Sequence, residues 1–347
     1  MFSKNLKFYR LSKQMSKKEL ADKANVTSMA ITNYEKGARK PGMEILQTLA
    51  AALEIRVSDF LQVRNENITF EYDGVQKVSS LSNTRQEYIR ESAEEYFSRF
   101  MTAVELLGGE ALPDAPACHV IQLSQDPEKN AAALRAHLGF AADGPIEDLT
   151  GMLENKGILV YECDVDDERF SGMNGFVNGR PFIVLNSGMN AERNRSAVVN
   201  ELARLMFKWP ADTGENDTEK MSSAVEGAFL FPAADVRREL GIHRSAVTPD
   251  MVPIAMKYGI SVMLLVKRAE ISHIITASAA KNFYIKAAKA GWKTNEPSRI
   301  KKEKAALFEK LVYRAVNEDE ISVQRGAELL KVPLDTVLSM QRFSEIF

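Results

Sequence analysis

The chain runs to 347 residues, 45% hydrophobic and 27% charged, enough for two or three domains each with its own core. Its formal net charge of −2 conceals an asymmetry: through Arg64 there are 12 Lys and Arg against 6 Asp and Glu, and beyond it 33 against 41. A basic head on an acidic body points to one module that faces nucleic acid and one that avoids phosphate, while Cys118 and Cys163 are spaced for neither a disulfide framework nor a zinc knuckle.

No apolar run approaches membrane-spanning length, and Met1-Phe2-Ser3-Lys4 leads into an amphipathic helix rather than a signal peptide. The expectation is a cytoplasmic protein with reduced thiols and no membrane partner. Residues 6–13 place Leu6, Tyr9 and Arg10 at helical spacing and predict a first helix. Ser16, with Glu19 three positions on, forms a capping box for a second helix through Leu20 and Ala21. Asn25-Val26 makes a tight turn, and Thr27 or Ser28 caps a third helix over 29–34. Two short helices joined by such a turn, held by Leu20, Ala21, Val26 and Ile31, are a helix-turn-helix arrangement. Glu35-Lys36-Gly37-Ala38-Arg39-Lys40-Pro41 then breaks the third helix and presents three cations, and helices over 43–53 and 57–61 close a five-helix domain spanning 1–65.

This head resembles the Cro/CI-type (XRE) helix-turn-helix family over essentially its whole length. The matching residues are Ser16, Glu19-Leu20-Ala21, Val26, Ile31, Tyr34-Glu35-Lys36-Gly37, Arg39-Lys40-Pro41, Leu46, Leu49-Ala50, Leu53 and Phe60-Leu61. The resemblance implies that the third helix enters the major groove of double-stranded operator DNA, with Thr27, Ser28, Met29, Thr32 and Asn33 reaching base edges. Lys17, Lys18, Lys36, Arg39 and Lys40 would meet phosphates, which position the domain without reading sequence. A lone lysine on a helix is as often a solvated side chain; the motif and the charge surplus together favour the DNA reading.

Residues 66–110 read as a linker: a short strand over 68–72, a turn at Asp73-Gly74, a polar hinge over 79–83 and a long amphipathic helix over 86–107. Its stripe of Tyr88, Ile89, Tyr96, Phe97 and Phe100 suits intramolecular packing somewhat better than a dimer seam. Residues 111–245 read as an α/β module, with helices over 131–138 and 145–156 and β-rich runs over 158–162, 170–175 and 181–186. A helix around Val198–Phe207 follows, apolar on nearly every side and therefore a buried central element. It has the outline of an H-E-x-x-H helix, in which two His one turn apart bind zinc beside a general-base Glu. The corresponding positions here are Asn200, Glu201 and Arg204. An amide oxygen is a poor zinc ligand and a guanidinium has no lone pair to give. Glu201 and Arg204, at i and i+3, are placed for an internal ion pair; alternatively, Arg204 supplies the positive charge that zinc would bring.

Residues 131–239 resemble the ImmA/IrrE-type metallopeptidase family. The resemblance rests on Leu134-Arg135, Leu138-Gly139, Gly144-Pro145-Ile146, Leu153-Glu154, Gly157-Ile158, Phe170-Ser171-Gly172, Arg180-Pro181-Phe182-Ile183-Val184-Leu185-Asn186, the Asn200-Glu201 helix and Glu226-Gly227-Ala228-Phe229-Leu230-Phe231-Pro232. It implies a zincin-like fold with zinc-assisted peptide hydrolysis. The expected third ligand falls near Met221, a soft thioether unsuited to a lone zinc site, with Glu219 close enough to substitute in a shifted register. Asn200, Glu201, Arg204, Glu219 and Met221 are thus expected to form a vestigial site with neither metal nor other cofactor.

Residues 246–347 read as a helical extension, with helix starts at Thr248-Pro249-Asp250 and Ser261. A last pair over 322–330 and 334–340 resembles a helix-turn-helix core without a basic flank and is expected to pack on the body. Gly291-Trp292, Glu296-Pro297-Ser298-Arg299, Leu307-Phe308 and Leu311-Val312 resemble the C-terminal extension of long XRE–ImmA/IrrE fusions. The expected fold is mainly α with a small α/β body. The expected function is a DNA-binding regulator, repressor or antitoxin, acting as a homodimer with a toxin or regulator protein as possible partner. An endopeptidase with unconventional ligands and a toxin-neutralising interaction protein are the alternatives.

Overall fold

A computed structural model describes residues 1–62, 64–65, 67–73, 81–292, 296 and 299–341. The chain gathers into two compact units. The first holds residues 1–68, the segment up to Ala111 and the stretch from Phe308 onward; the second holds 69–77 and 112–307.

In the first unit, five helices form the head: α1 (Phe2–Ser12), α2 (Lys17–Lys23), α3 (Ser28–Glu35), α4 (Met43–Leu53) and α5 (Val57–Phe60). Ser16 accepts from the Glu19 amide while the Glu19 carboxylate accepts from the Ser16 amide, so the capping box forms as its spacing requires. Leu6, Leu20, Ala21, Ile31, Tyr34, Leu49, Leu53 and Phe60 are buried in one core. The long helix α6 (Asn83–Leu106) packs on α1. Its aromatic stripe lies within this unit, with Phe100 stacked on Phe308 at 5.3 Å and Tyr96 edge-on to it at 5.2 Å. Phe308 belongs to α15 (Leu307–Asn317), which is followed by α16 (Val323–Leu330) and α17 (Leu334–Gln341).

Two sequence expectations are corrected here. The last helix pair lies in the unit of the head rather than on the body, with α16 packed on α6 and α17 on α16. The serial division at 65, 110 and 245 gives way to a unit assembled from three separate stretches. A buried ionic cluster explains both. Arg99 donates from Nε to Glu95 at 2.9 Å and also to the Leu329 carbonyl, and Lys331 reaches Glu95 at 2.8 Å. The Lys331 ammonium also lies 4.5 Å from the Phe8 ring centroid. Of the linker features, the strand forms as β1 (Phe70–Asp73). Gly74 of the expected turn, Ser79 and Ser80 of the hinge, and Pro297-Ser298 of the C-terminal motif lie outside the described residues.

The second unit has a four-stranded sheet in the order β1-β4-β5-β3, with β3 at Leu159–Cys163, β4 at Gly172–Val177 and β5 at Arg180–Asn186. β4 runs antiparallel to β1 and β5, and β3 runs parallel to β5. The β4–β5 hairpin closes at Asn178-Gly179, both at positive φ (49° and 74°), which is the I′ conformation these two residue types favour. A short parallel pair joins β2 (Ile121–Gln122) to β6 (Phe207–Lys208). Helix α7 is Pro127–His137 and α8 is Leu149–Glu154. Helix α9 (Ala191–Met206) lies on β4 and β5, and α10 (Glu215–Leu230) packs on α9 and α7. Helices α11 (Ala233–Leu240), α12 (Met251–Tyr258), α13 (Val262–Ile271) and α14 (Ala277–Lys289) complete the unit.

Buried arginines tie these elements together through backbone carbonyls. Arg135 donates to Phe229 O, Ala141 O and Gly144 O at 2.6–3.0 Å, so the Leu134-Arg135 and Gly144 motif residues are architectural. Burial lowers the Arg135 pKa even though Asp235 and Asp143 pull the other way. Among the described residues no helix is long and apolar enough to cross a membrane.

Candidate nucleic-acid interface

Thr27 caps α3 by accepting from the Ala30 amide at 3.1 Å. Its hydroxyl oxygen therefore takes part in the helix start. Ser28 and Met29 are exposed, Met29 to 67% of its surface, and Thr32 and Asn33 are half-buried one turn on. The Thr32 hydroxyl donates back to the Ser28 carbonyl at 3.0 Å, which leaves its oxygen lone pairs and its methyl for an incoming partner.

The orientation of α3 is fixed from beneath. The Glu35 carboxylate, 4% exposed, accepts from Arg10, which is 3% exposed and also donates to the Met15 carbonyl at 2.8 Å. This pair clamps the end of α3 to α1, and nothing in residue spacing announced it, because Arg10 and Glu35 are 25 positions apart. Lys17 is drawn into the same cluster at 3.5 Å from Glu35, so of the five expected phosphate ligands it is the one already engaged. Lys18, Lys36, Arg39 and Lys40 are exposed, with no ion pair among the described residues. The loop that carries the last three is folded back onto α3, since the Asn33 carbonyl accepts from the amides of Ala38 at 2.9 Å and Arg39 at 3.3 Å. Gly37 takes the turn at φ +72°.

The second set of expected residues meets in the body. On α9, Val198, Val199, Leu202, Ala203, Leu205 and Met206 are all at most 1% exposed, as the apolar pattern requires. Glu201, also 1% exposed, accepts from Asn174 Nδ2 of β4 at 2.7 Å. A Cβ at Gly172 would lie 3.3 Å from the Glu201 Cγ and 3.0 Å from the Val184 carbonyl, so the strand can press this closely only as glycine. Arg204 donates from Nη2 to Glu215 at 2.7 Å and to Glu219 at 2.9 Å, both on α10. Burial opposes its charge, yet the bond to Glu215, the field of Glu201 and the bond to Glu219 outweigh it and raise its pKa. Asn200 donates to Ser223 at 3.3 Å, and Ser223 donates to Glu219 at 3.4 Å.

The simple i, i+3 pair of Glu201 with Arg204 therefore gives way to a network between two helices. Glu219 joins the site, but its partner is a guanidinium. Met221 stands at its edge, its sulfur 3.8 Å from Asn130 Nδ2. Sequence reasoning missed Glu215, Ser223 and Asn174, which lie on other elements and carry no motif. Zinc, which the peptidase resemblance implies, does not fit this donor set: Arg204 places a fixed positive charge where the second imidazole would stand. Glu201, for its part, is buried beside Arg204 and held by the bond from Asn174.

Residues 6–60 match the helix-turn-helix family, and the head is a helix-turn-helix domain. Among particular relatives, an uncharacterized HTH-type transcriptional regulator, YqaE of Bacillus subtilis (strain 168), is 33% identical over 78 residues. The match covers 22% of this chain and 66% of the relative, just under two thirds of its length. Among solved structures, that of Bacillus thuringiensis PlcR in complex with the peptide PapR7 and DNA aligns over 99% of this chain and 98% of that one. At 12% identity and a TM-score of 0.18, this superposition carries no argument about fold.

Proposed function

We propose that this protein is a transcriptional regulator that binds double-stranded operator DNA as a homodimer through α3, in the role of a repressor or of an antitoxin. The observation that carries the reading is the exposed start of α3 together with four exposed cations, Lys18 on α2 and Lys36, Arg39 and Lys40 after the end of α3, in a domain that matches the helix-turn-helix family. Ser28, Met29, Thr32 and Asn33 read base edges in the major groove, while the four cations hold phosphates and set the register. A dimer places its two recognition helices in half-sites about one helical turn apart.

The body, in this reading, is a peptidase-like domain that has lost its zinc ligands and acts as a sensor or as a docking module for a toxin or regulator protein. Its resemblance to the ImmA/IrrE-type family and the seating of Arg204 between Glu215 and Glu219 support that role. The same network counts against an endopeptidase with unconventional ligands, since Glu219 already neutralises Arg204.

The test is a fluorescence-anisotropy titration of duplex DNA across salt concentrations. Replacing Arg39 by Ala removes one phosphate contact and should make the log–log salt slope shallower by about 1, with sequence preference retained. An unchanged affinity and slope would contradict this docking of the head.

A further inference from the structure

The acidic body contains one stretch of the opposite sign. From Ser272 to Asn295 there is no Asp or Glu and there are four lysines, and Arg299, Lys301, Lys302 and Lys304 follow before Leu307. The two acids in the latter segment, Glu296 and Glu303, are turned inward. Glu296 accepts from the Val262 amide at 2.8 Å at the start of α13, and Glu303 from the Thr150 amide at 2.8 Å at the start of α8.

Along α14 the two sides differ. Ala280 and Ala287 are buried, and Phe283 and Tyr284 pack against the core, with the Phe283 ring edge-on to Trp292 at 6.4 Å. On the other side Lys281, Asn282, Ile285, Lys286 and Lys289 are all exposed. None of the three lysines has an ion pair among the described residues, whereas some other lysines of this unit do: Lys257 with Glu239 at 2.8 Å, Lys267 with Glu270 at 3.1 Å, Lys302 with Glu162 at 3.2 Å. Eight residues separate the first lysine from the last, about 12 Å of helix, over which a duplex presents several phosphates on each strand.

We propose that the lysine face of α14 is a second nucleic-acid contact, taking the phosphate backbone of duplex DNA without reading its sequence. The inference rests on the reading of the head as a DNA binder, since that is what would bring a polyanion to this protein. The alternative anionic surface, a membrane, needs an apolar helix face to bury among lipids. In α14 that face is already packed on the core, so electrostatic contact alone remains, which suits a polyphosphate.

The experiment uses the full chain and a long duplex of random sequence. K281Q/K286Q/K289Q should make the salt slope of binding shallower by about 2 to 3, and the single Lys286→Gln by about 1, with operator preference unchanged. In the R39A/K40A background, weak salt-sensitive binding should persist and the triple substitution should remove it. The single variant secures the test if the triple fails to fold. Unchanged slopes in these variants, with DNA binding lost in R39A/K40A, would overturn the second contact and leave the head's role intact. Failure of the unsubstituted protein to bind any duplex would overturn both. Loss of binding to phosphatidylserine vesicles in the lysine variants, with unchanged DNA slopes, would assign the face to membranes instead.

Discussion

Arg204 sits in the buried last turns of α9, between Ala203 and Leu205, and its charge is tolerated because two carboxylates from a neighbouring helix meet it. Replacing it by Met leaves Glu215 and Glu219, one-third to one-half exposed, facing each other without a cation. Because both acids keep partial access to water, the loss is smaller than for a fully buried pair; urea unfolding should show a destabilisation of about 1 to 3 kcal/mol. At this scale the sequence was half legible. The failure of the zinc motif is visible in Asn200 and Arg204 themselves, because residue chemistry does not depend on the fold. Glu219 was placed in the site, but as a substitute metal ligand, and Glu215 was not visible, because it is 11 positions away on another helix and only packing brings it near.

At the scale of elements, the head is the most legible part of the chain because its signals are local. A capping box, a tight turn and a capped third helix are each written within a few residues. Thr27 is the sharpest case: its hydroxyl satisfies the Ala30 amide at the point where α3 would approach DNA. Thr27→Ala should lower stability by about 1 kcal/mol in thermal or chemical unfolding. It should also weaken operator binding, because the first turn of α3 then frays where Ser28 and Met29 are presented. Unaltered binding at full occupancy of the folded state would confine Thr27 to a role in folding. Helix α14, in contrast, carries little sequence signal: its buried stripe is narrow, with alanines at 280 and 287.

For the whole molecule, sequence order misled about which parts fold together. The last helices join the unit of the head because Lys331 and Arg99 converge on Glu95, a contact spanning 236 positions for Lys331 that no periodicity encodes. Burial alone would raise the Glu95 carboxyl, but Arg99 and Lys331 outweigh it and hold it at about 2, below its ordinary 4.5. A depressed carboxyl stabilises the folded state fully above about 4.5, and that stabilisation is lost as pH falls toward 2. Unfolding midpoints followed through this window should drop, and Glu95→Gln should be less stable at neutral pH with a flatter acid limb. An acid limb identical in the two proteins would mean that the cluster does not govern the acid stability of this unit.

The central claim is that α3 reads a specific duplex sequence, and the most direct test is selection of full-length protein against a pool of randomised duplex DNA, followed by sequencing. The account predicts enrichment of an inverted repeat with half-sites about one helical turn apart, and a changed selected sequence when Thr32 or Asn33 is replaced. No enrichment over the starting pool, or an enriched site indifferent to both substitutions, would contradict it.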